Sequence, residues 1–143
     1  MKFKILIIGL GNIGIRHLES IKKSDKYQIF LVDKDIKNKV RKINILKKTN
    51  NFESINQLKL KKIDLIIIAT DSKPRINLLK TCLQKFSVKY VILEKIVLKN
   101  SNDLSFLNRC KNTKIFFNYP RQAFPFYKYL KRLAGKEITQ MHI

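Results

Sequence analysis

Three of the four glycines in this 143-residue chain fall in Gly9-Leu10-Gly11-Asn12-Ile13-Gly14, directly after the apolar run Ile5 to Ile8. Glycine this scarce elsewhere and this clustered here answers backbone demands: a tight turn, close approach of a ligand, and close packing of a helix on a strand. The G-x-G-x-x-G spacing, entered from a strand and left into a helix, predicts a dinucleotide-binding turn. Its residues Gly9, Gly11, Asn12, Ile13 and Gly14 would hold a pyrophosphate with peptide N–H groups at the positive end of the helix dipole. Asp33 ends the next apolar run, 24 positions after Gly9, where a carboxylate can accept hydrogen bonds from ribose hydroxyls. Its charge opposes an additional ribose phosphate, so NAD is the expected cofactor, while the adjacent Lys34 leaves NADP open. A solvated helix cap is the competing reading of Asp33.

Strand-length apolar runs alternate with helical patterns, which predicts an α/β fold, a Rossmann-type doubly wound parallel sheet. Strands are expected over Lys4–Ile8, Gln28–Val32, Asp64–Ala69, Lys89–Leu93 and Lys114–Asn118. Helices are expected over Ile13–Lys23, Asp35–Lys48, Pro74–Lys85, Ser101–Cys110 and Phe124–Leu133, with a short one inside Phe52–Leu60 begun by Ser54. In the first helix Ile13, Leu18 and Ile21 should face inward. The continuous run Leu65-Ile66-Ile67-Ile68 predicts a strand covered on both faces. Gly135 is a plausible cap beyond the last helix, and Glu137–Ile143 alternates like a half-buried strand.

A net charge of +21 invites a nucleic-acid partner. Lys, Ile, Asn and Phe make up 67 of the 143 residues, a skew that adenine- and thymine-rich codons produce. The lysines are spread along the whole chain rather than gathered in a tail, so nucleic acid is disfavoured as a partner, although the shortage of acids leaves a general preference for anions. No apolar run approaches the ~20 residues of a bilayer span, and no cleavage site follows the first apolar stretch, so neither membrane nor secretion is expected. Cys82 and Cys110 form no C-x-x-C and read as reduced, structural thiols of a cytoplasmic protein.

Further candidates lie at expected strand ends. Ala69, Thr70 and Asp71 follow the Leu65 to Ile68 run, at the edge where open parallel sheets bind ligands, and could line a cofactor; Asp71 or Ser72 could equally cap the helix near Pro74. Glu94 and Lys95 fall at the same edge. A lysine ammonium there can donate to a substrate oxygen as hydride departs, with the carboxylate orienting it, and a random surface lysine is the alternative. His17 reads as packing or capping, since the sequence places no carboxylate beside it. No metal-ligand constellation is legible.

In order along nearly the whole chain, these residues resemble the glucose-fructose oxidoreductase and inositol dehydrogenase group, the Gfo/Idh/MocA family. Ile8 to Gly14 with Arg16-His17 looks like the family's opening, Ala69-Thr70 like its fourth strand end, and Glu94-Lys95 like its Glu-Lys-Pro motif. Asn118-Tyr119-Pro120-Arg121 with Phe124-Pro125-Phe126-Tyr127 resembles the segment that leads toward the family's second domain. Ile96 departs from the pattern, standing where the family has proline. The resemblance implies NAD(P)-dependent oxidation or reduction of a sugar, polyol or related carbonyl compound, with Lys95 catalytic and Glu94 beside the cofactor. It also implies a dinucleotide-binding domain over residues 1–120, with 121–143 forming a connecting helix and the first strand of an otherwise missing α+β substrate domain. A truncated gene, a homo-oligomer or a partner chain supplying that domain are the expected settings; a stand-alone NAD-binding regulatory module is the alternative.

Overall fold

The computed structural model describes residues 2–47, 49–95, 101–119 and 124–133. Among them six strands form one all-parallel sheet: β1 (Phe3–Ile8), β2 (Tyr27–Val32), β3 (Asn50–Phe52), β4 (Lys62–Ile68), β5 (Ser87–Glu94) and β6 (Lys114–Asn118), in the order β3-β2-β1-β4-β5-β6. Four helices lie between strands, α1 (Asn12–Ile21), α2 (Ile36–Lys42), α3 (Arg75–Lys85) and α4 (Ser101–Arg109), and α5 (Pro125–Leu133) follows β6. This is the doubly wound Rossmann-type α/β architecture. From β1 the chain winds outward to β2 and β3, then returns to place β4 on the other side of β1. The reversal opens a crevice at the carboxyl ends of β1 and β4, where such sheets take ligands.

The central strands are apolar without alternation because both of their faces are covered. Leu6, Ile8, Ile66 and Ile68 point to one side, against Ile76, Leu79 and Cys82 of α3. Ile5, Ile7 and Ile67 point to the other, where Leu18 of α1 and Ile36 of α2 pack. Burial pushes the Cys82 thiol up to about 12, which suits an inert packing group; Cys110, also a free thiol, lies just beyond the end of α4.

Two local expectations are corrected, one short helix is found where expected, and one strand is present that carried no expectation. Strand β3 reads as polar, Asn50-Asn51-Phe52, and exists because its backbone completes a ladder with β2, Phe30 opposite Asn50 and Val32 opposite Phe52. The helix expected over Asp35–Lys48 ends at Lys42, where Ile43 turns extended and a 3-10 turn over Asn44–Leu46 drives Leu46 into the core. The short helix begun by Ser54 is a single 3-10 turn, Ile55–Gln57, held by a capping box between Ser54 and Gln57. Ile13 does not face inward. It is 42% exposed, because Gly14 takes the inward position ahead of Leu18 and Ile21, one and nearly two turns further on.

The described part of the sheet finishes differently at its two sides. Around β6 and α5, Phe116, Phe117, Tyr119, Phe124, Phe126 and Tyr129 are exposed. The expected domain boundary at 120/121, together with Ile96, Arg121, Gly135 and Glu137–Ile143, lies outside the described residues. No helix among the described residues is long and apolar enough to cross a membrane.

Candidate functional site

The three clustered glycines answer three different constraints. Gly9 has φ +89°, and a Cβ there would lie 2.8 Å from Thr70 Cγ2 and 2.9 Å from Thr70 N, so both backbone and neighbours demand glycine. At Gly14 a Cβ would lie 1.9 Å from the Gly9 carbonyl oxygen, so the first turn of α1 can sit on the loop with no side chain between. Gly11 is unlike both: a Cβ would meet nothing within 4 Å. It stands as the N-cap of α1, lines the adjoining cleft, and leaves the helix start without a side-chain cap or an acid in the first turn. The first N–H groups of α1 have no partner within the helix, and an anion beside Gly11 would meet them together with the positive end of the dipole.

That cleft, about 620 Å³, runs along the carboxyl ends of β1, β2 and β4, within the range of small-molecule sites. Gly9, Gly11, Asp33, Ala69, Thr70 and Asp71 line it, as do Lys34, Lys39, Ser54 and Asn56. The Asp33 carboxylate is firmly held. Its Oδ2 accepts from Leu10 N–H at 2.7 Å and Lys39 Nζ at 2.6 Å, and its Oδ1 accepts from Asp35 N–H at 2.9 Å. Burial works to raise its pKa, and the hydrogen bonds with the Lys39 charge outweigh that, leaving the group below the usual carboxylate value. Asn12 and Ile13 are exposed at the helix start, outside the lining of the cleft, and Gly14 is buried beneath.

A second polar cluster occupies the ends of β5 and β6. Glu94, 7% exposed, receives His17 Nε2 from α1 at 2.7 Å and Asn118 Nδ2 from β6 at 2.5 Å, both on Oε1. The neighbour expected to be missing from His17 is therefore present, 77 residues away and brought in by the β1–β4–β5 order. Behind it, buried Arg75 at the start of α3 donates Nη1 to the Glu94 carbonyl at 2.6 Å and Nη2 to the Thr70 carbonyl, tying the chain after β4 to the end of β5. Burial draws the Arg75 pKa down, against the nearby charges of Glu94 and Asp71. Lys95 follows this knot and is exposed. Neither Glu94 nor Lys95 lines the cleft.

Sequence reasoning missed Lys39, Ser54, Asn56 and Arg75. Among 25 lysines nothing marks Lys39 except its position six residues after Asp33, and Arg75 carried one signal, a charge at the start of an apolar helix.

Residues 3–113 match the family described as "Oxidoreductase family, NAD-binding Rossmann fold", GFO_IDH_MocA. The chain belongs to this family. Solved structures agree in fold. Scyllo-inositol dehydrogenase from Lactobacillus casei, with bound NAD(H) and scyllo-inositol, superposes with a TM-score of 0.72 at 22% identity, over 94% of this chain and 41% of that one. Myo-inositol 2-dehydrogenase from Lactobacillus plantarum gives 0.73 at 18% identity, over 94% and 41%. UDP-N-acetylglucosamine 3-dehydrogenase from Acidithiobacillus ferrooxidans gives 0.73 at 18%, over 95% and 44%. The Gfo/Idh/MocA chain described here thus spans about two-fifths of the length of these structures. No curated protein matches it.

Proposed function

We propose that the chain is the dinucleotide-binding part of an oxidoreductase that moves hydride to or from a sugar, polyol or related carbonyl compound. The carrying observation is the contrast among the glycines: Gly9 and Gly14 are fixed by contacts inside the fold, whereas Gly11 is bare toward the cleft. In this reading the N–H groups of Gly11, Asn12, Ile13 and Gly14 hold the pyrophosphate, and Asp33 accepts from the adenosine ribose. Ala69, Thr70 and Asp71 border the cofactor's path. The Asp33 charge favours NAD, and Lys34 beside it leaves NADP open. When bound, the dinucleotide supplies the hydride donor or acceptor. Lys95 donates a hydrogen bond to the substrate oxygen, and Glu94, held by His17 and Asn118, fixes the backbone from which Lys95 projects.

Residues 1–120 form the cofactor domain in this reading, and 121–143 lead into a substrate domain on the same or another chain. The substrate class is supported by the neighbours, whose names specify inositols and a UDP-sugar. Reduced thiols fit work in the cytoplasm. A second reading, a binding module that answers NAD by altering a partner, draws support from the exposed aromatic surface around β6 and α5.

Calorimetric titration with NADH tests the proposal. Saturable 1:1 binding is expected, weakened about tenfold or more in Gly11→Val with the unfolding midpoint held, since the valine side chain would occupy the pyrophosphate's approach. No binding, or equal binding by the variant, contradicts it. NADH binding that changes a partner's affinity, with no turnover on any polyol in the presence of the substrate domain, selects the module.

A further inference from the structure

Arg75 stands where an arginine is costly. It opens α3, at the positive end of the helix dipole, and is only 3% exposed. A charge placed against both preferences marks a residue kept for its contacts. Those contacts are two backbone carbonyls beyond neighbouring strands. Nη1 donates to the Glu94 carbonyl at 2.6 Å, and Nη2 donates to the Thr70 carbonyl.

Each carbonyl belongs to a planar peptide unit, so holding the oxygen holds the whole plane. The Glu94 carbonyl shares its plane with the N–H of Lys95, and the Thr70 carbonyl shares its plane with the N–H of Asp71. Thr70 and Asp71 line the cleft. One rigid guanidinium fork therefore fixes the cleft wall and the root of Lys95 in a single geometry, just past the β4–β5 pair Ile68 and Leu93. The Glu94 side chain is held as well, by His17 at 2.7 Å and Asn118 at 2.5 Å, so the residue before Lys95 is fixed at both its carboxylate and its carbonyl. Ile96 adds no proline-type limit to the Lys95 backbone, which leaves that restraint to the contacts of Glu94.

We propose that Arg75 is a positioning residue for the hydride step, holding Lys95 in register with the dinucleotide that passes Thr70. This role rests on the dinucleotide reading of the cleft and on Lys95 as donor to the substrate oxygen. NMR of the labelled wild-type chain, Arg75→Met and Arg75→Lys, each with NADH, tests it. In wild type the amides of Asp71 and Lys95 should have order parameters of about 0.85, and the nicotinamide protons should show NOEs to the Lys95 side chain. Arg75→Met keeps bulk without a donor. It should drop both amides below about 0.6 and erase the NOEs, while NADH affinity changes less than about threefold. Arg75→Lys keeps the charge but reaches one carbonyl at a time, so order should fall at one amide or the other; this variant decides if Arg75→Met does not fold. Folded Arg75→Met with either signal retained, or Arg75→Lys with both amides still ordered, overturns the role and leaves the cofactor site standing. Wild type that binds NADH without an NOE to Lys95 overturns the part given to Lys95, and this role with it. Failure of wild type to bind NADH overturns the cleft reading itself.

Discussion

Polar side chains cluster at both ends of the sheet's carboxyl edge, yet the two clusters face different things. After β1 and β2, Asp33 is anchored by Leu10, Asp35 and Lys39 while it still lines an open cleft. After β5 and β6, Glu94 does not line that cleft and accepts from His17 and Asn118, with its own carbonyl held by Arg75. The first arrangement presents acceptors, cations and a helix N-terminus to a ligand. The second fixes a strand end and leaves the exposed Lys95 as its outlet. A carboxylate beside a cleft and a carboxylate inside a knot look alike in sequence and do different work.

Breaking the packing at the glycine turn should have the largest effect. Gly14→Ala places a methyl 1.9 Å from the Gly9 carbonyl, so denaturant unfolding should show a loss of about 3 kcal/mol or more. A variant as stable as wild type would mean that the loop and α1 are not held in this contact. Next in size is Glu94→Leu, which strands His17 and Asn118 in a part-buried cluster. A loss of about 1–3 kcal/mol is expected with NADH affinity nearly unchanged. Intact stability with affinity reduced tenfold would move Glu94 from the knot to the cofactor and erase the contrast between the two ends.

The smallest effect belongs to Asp33→Asn, about 1 kcal/mol near neutral pH. Because folded Asp33 titrates below its unfolded value of about 3.9, the unfolded chain takes up the proton first as pH falls. The stabilisation is whole above about pH 4 and fades below it. The stability gap between wild type and variant should therefore close under acid, as followed by urea unfolding at successive pH values; a gap that stays constant down to pH 2 would contradict the anchoring of Asp33.

The strands most legible in the sequence were those with the least choice. Leu65 to Ile68 lies between two helical layers, and its unbroken apolar run reports that directly. Strand β3 carried no such signal, since its existence depends on the free edge of β2 rather than on its own side chains. Helical periodicity identified Leu18 and Ile21 but misplaced Ile13, because close contact with Gly9 lets Gly14 take the inward position without an apolar side chain. At the candidate site, motif spacing pointed to the residues lining the cleft near Gly9, Asp33 and Thr70. The Asp33–Lys39 and His17–Glu94 pairs stayed hidden. One is a single lysine among many, and the other joins residues that only the strand order brings together.

The central claim, that the β1–β2–β4 end of the edge holds a dinucleotide, is tested most directly by residue-resolved NMR of the isotope-labelled chain during titration with NADH. Amide shifts over Leu10 to Gly14, at Asp33 and at Ala69 to Asp71 are expected to move together with one saturable dependence on NADH. Shifts confined to the exposed lysine-bearing faces, growing without saturation and vanishing with added salt, would contradict it.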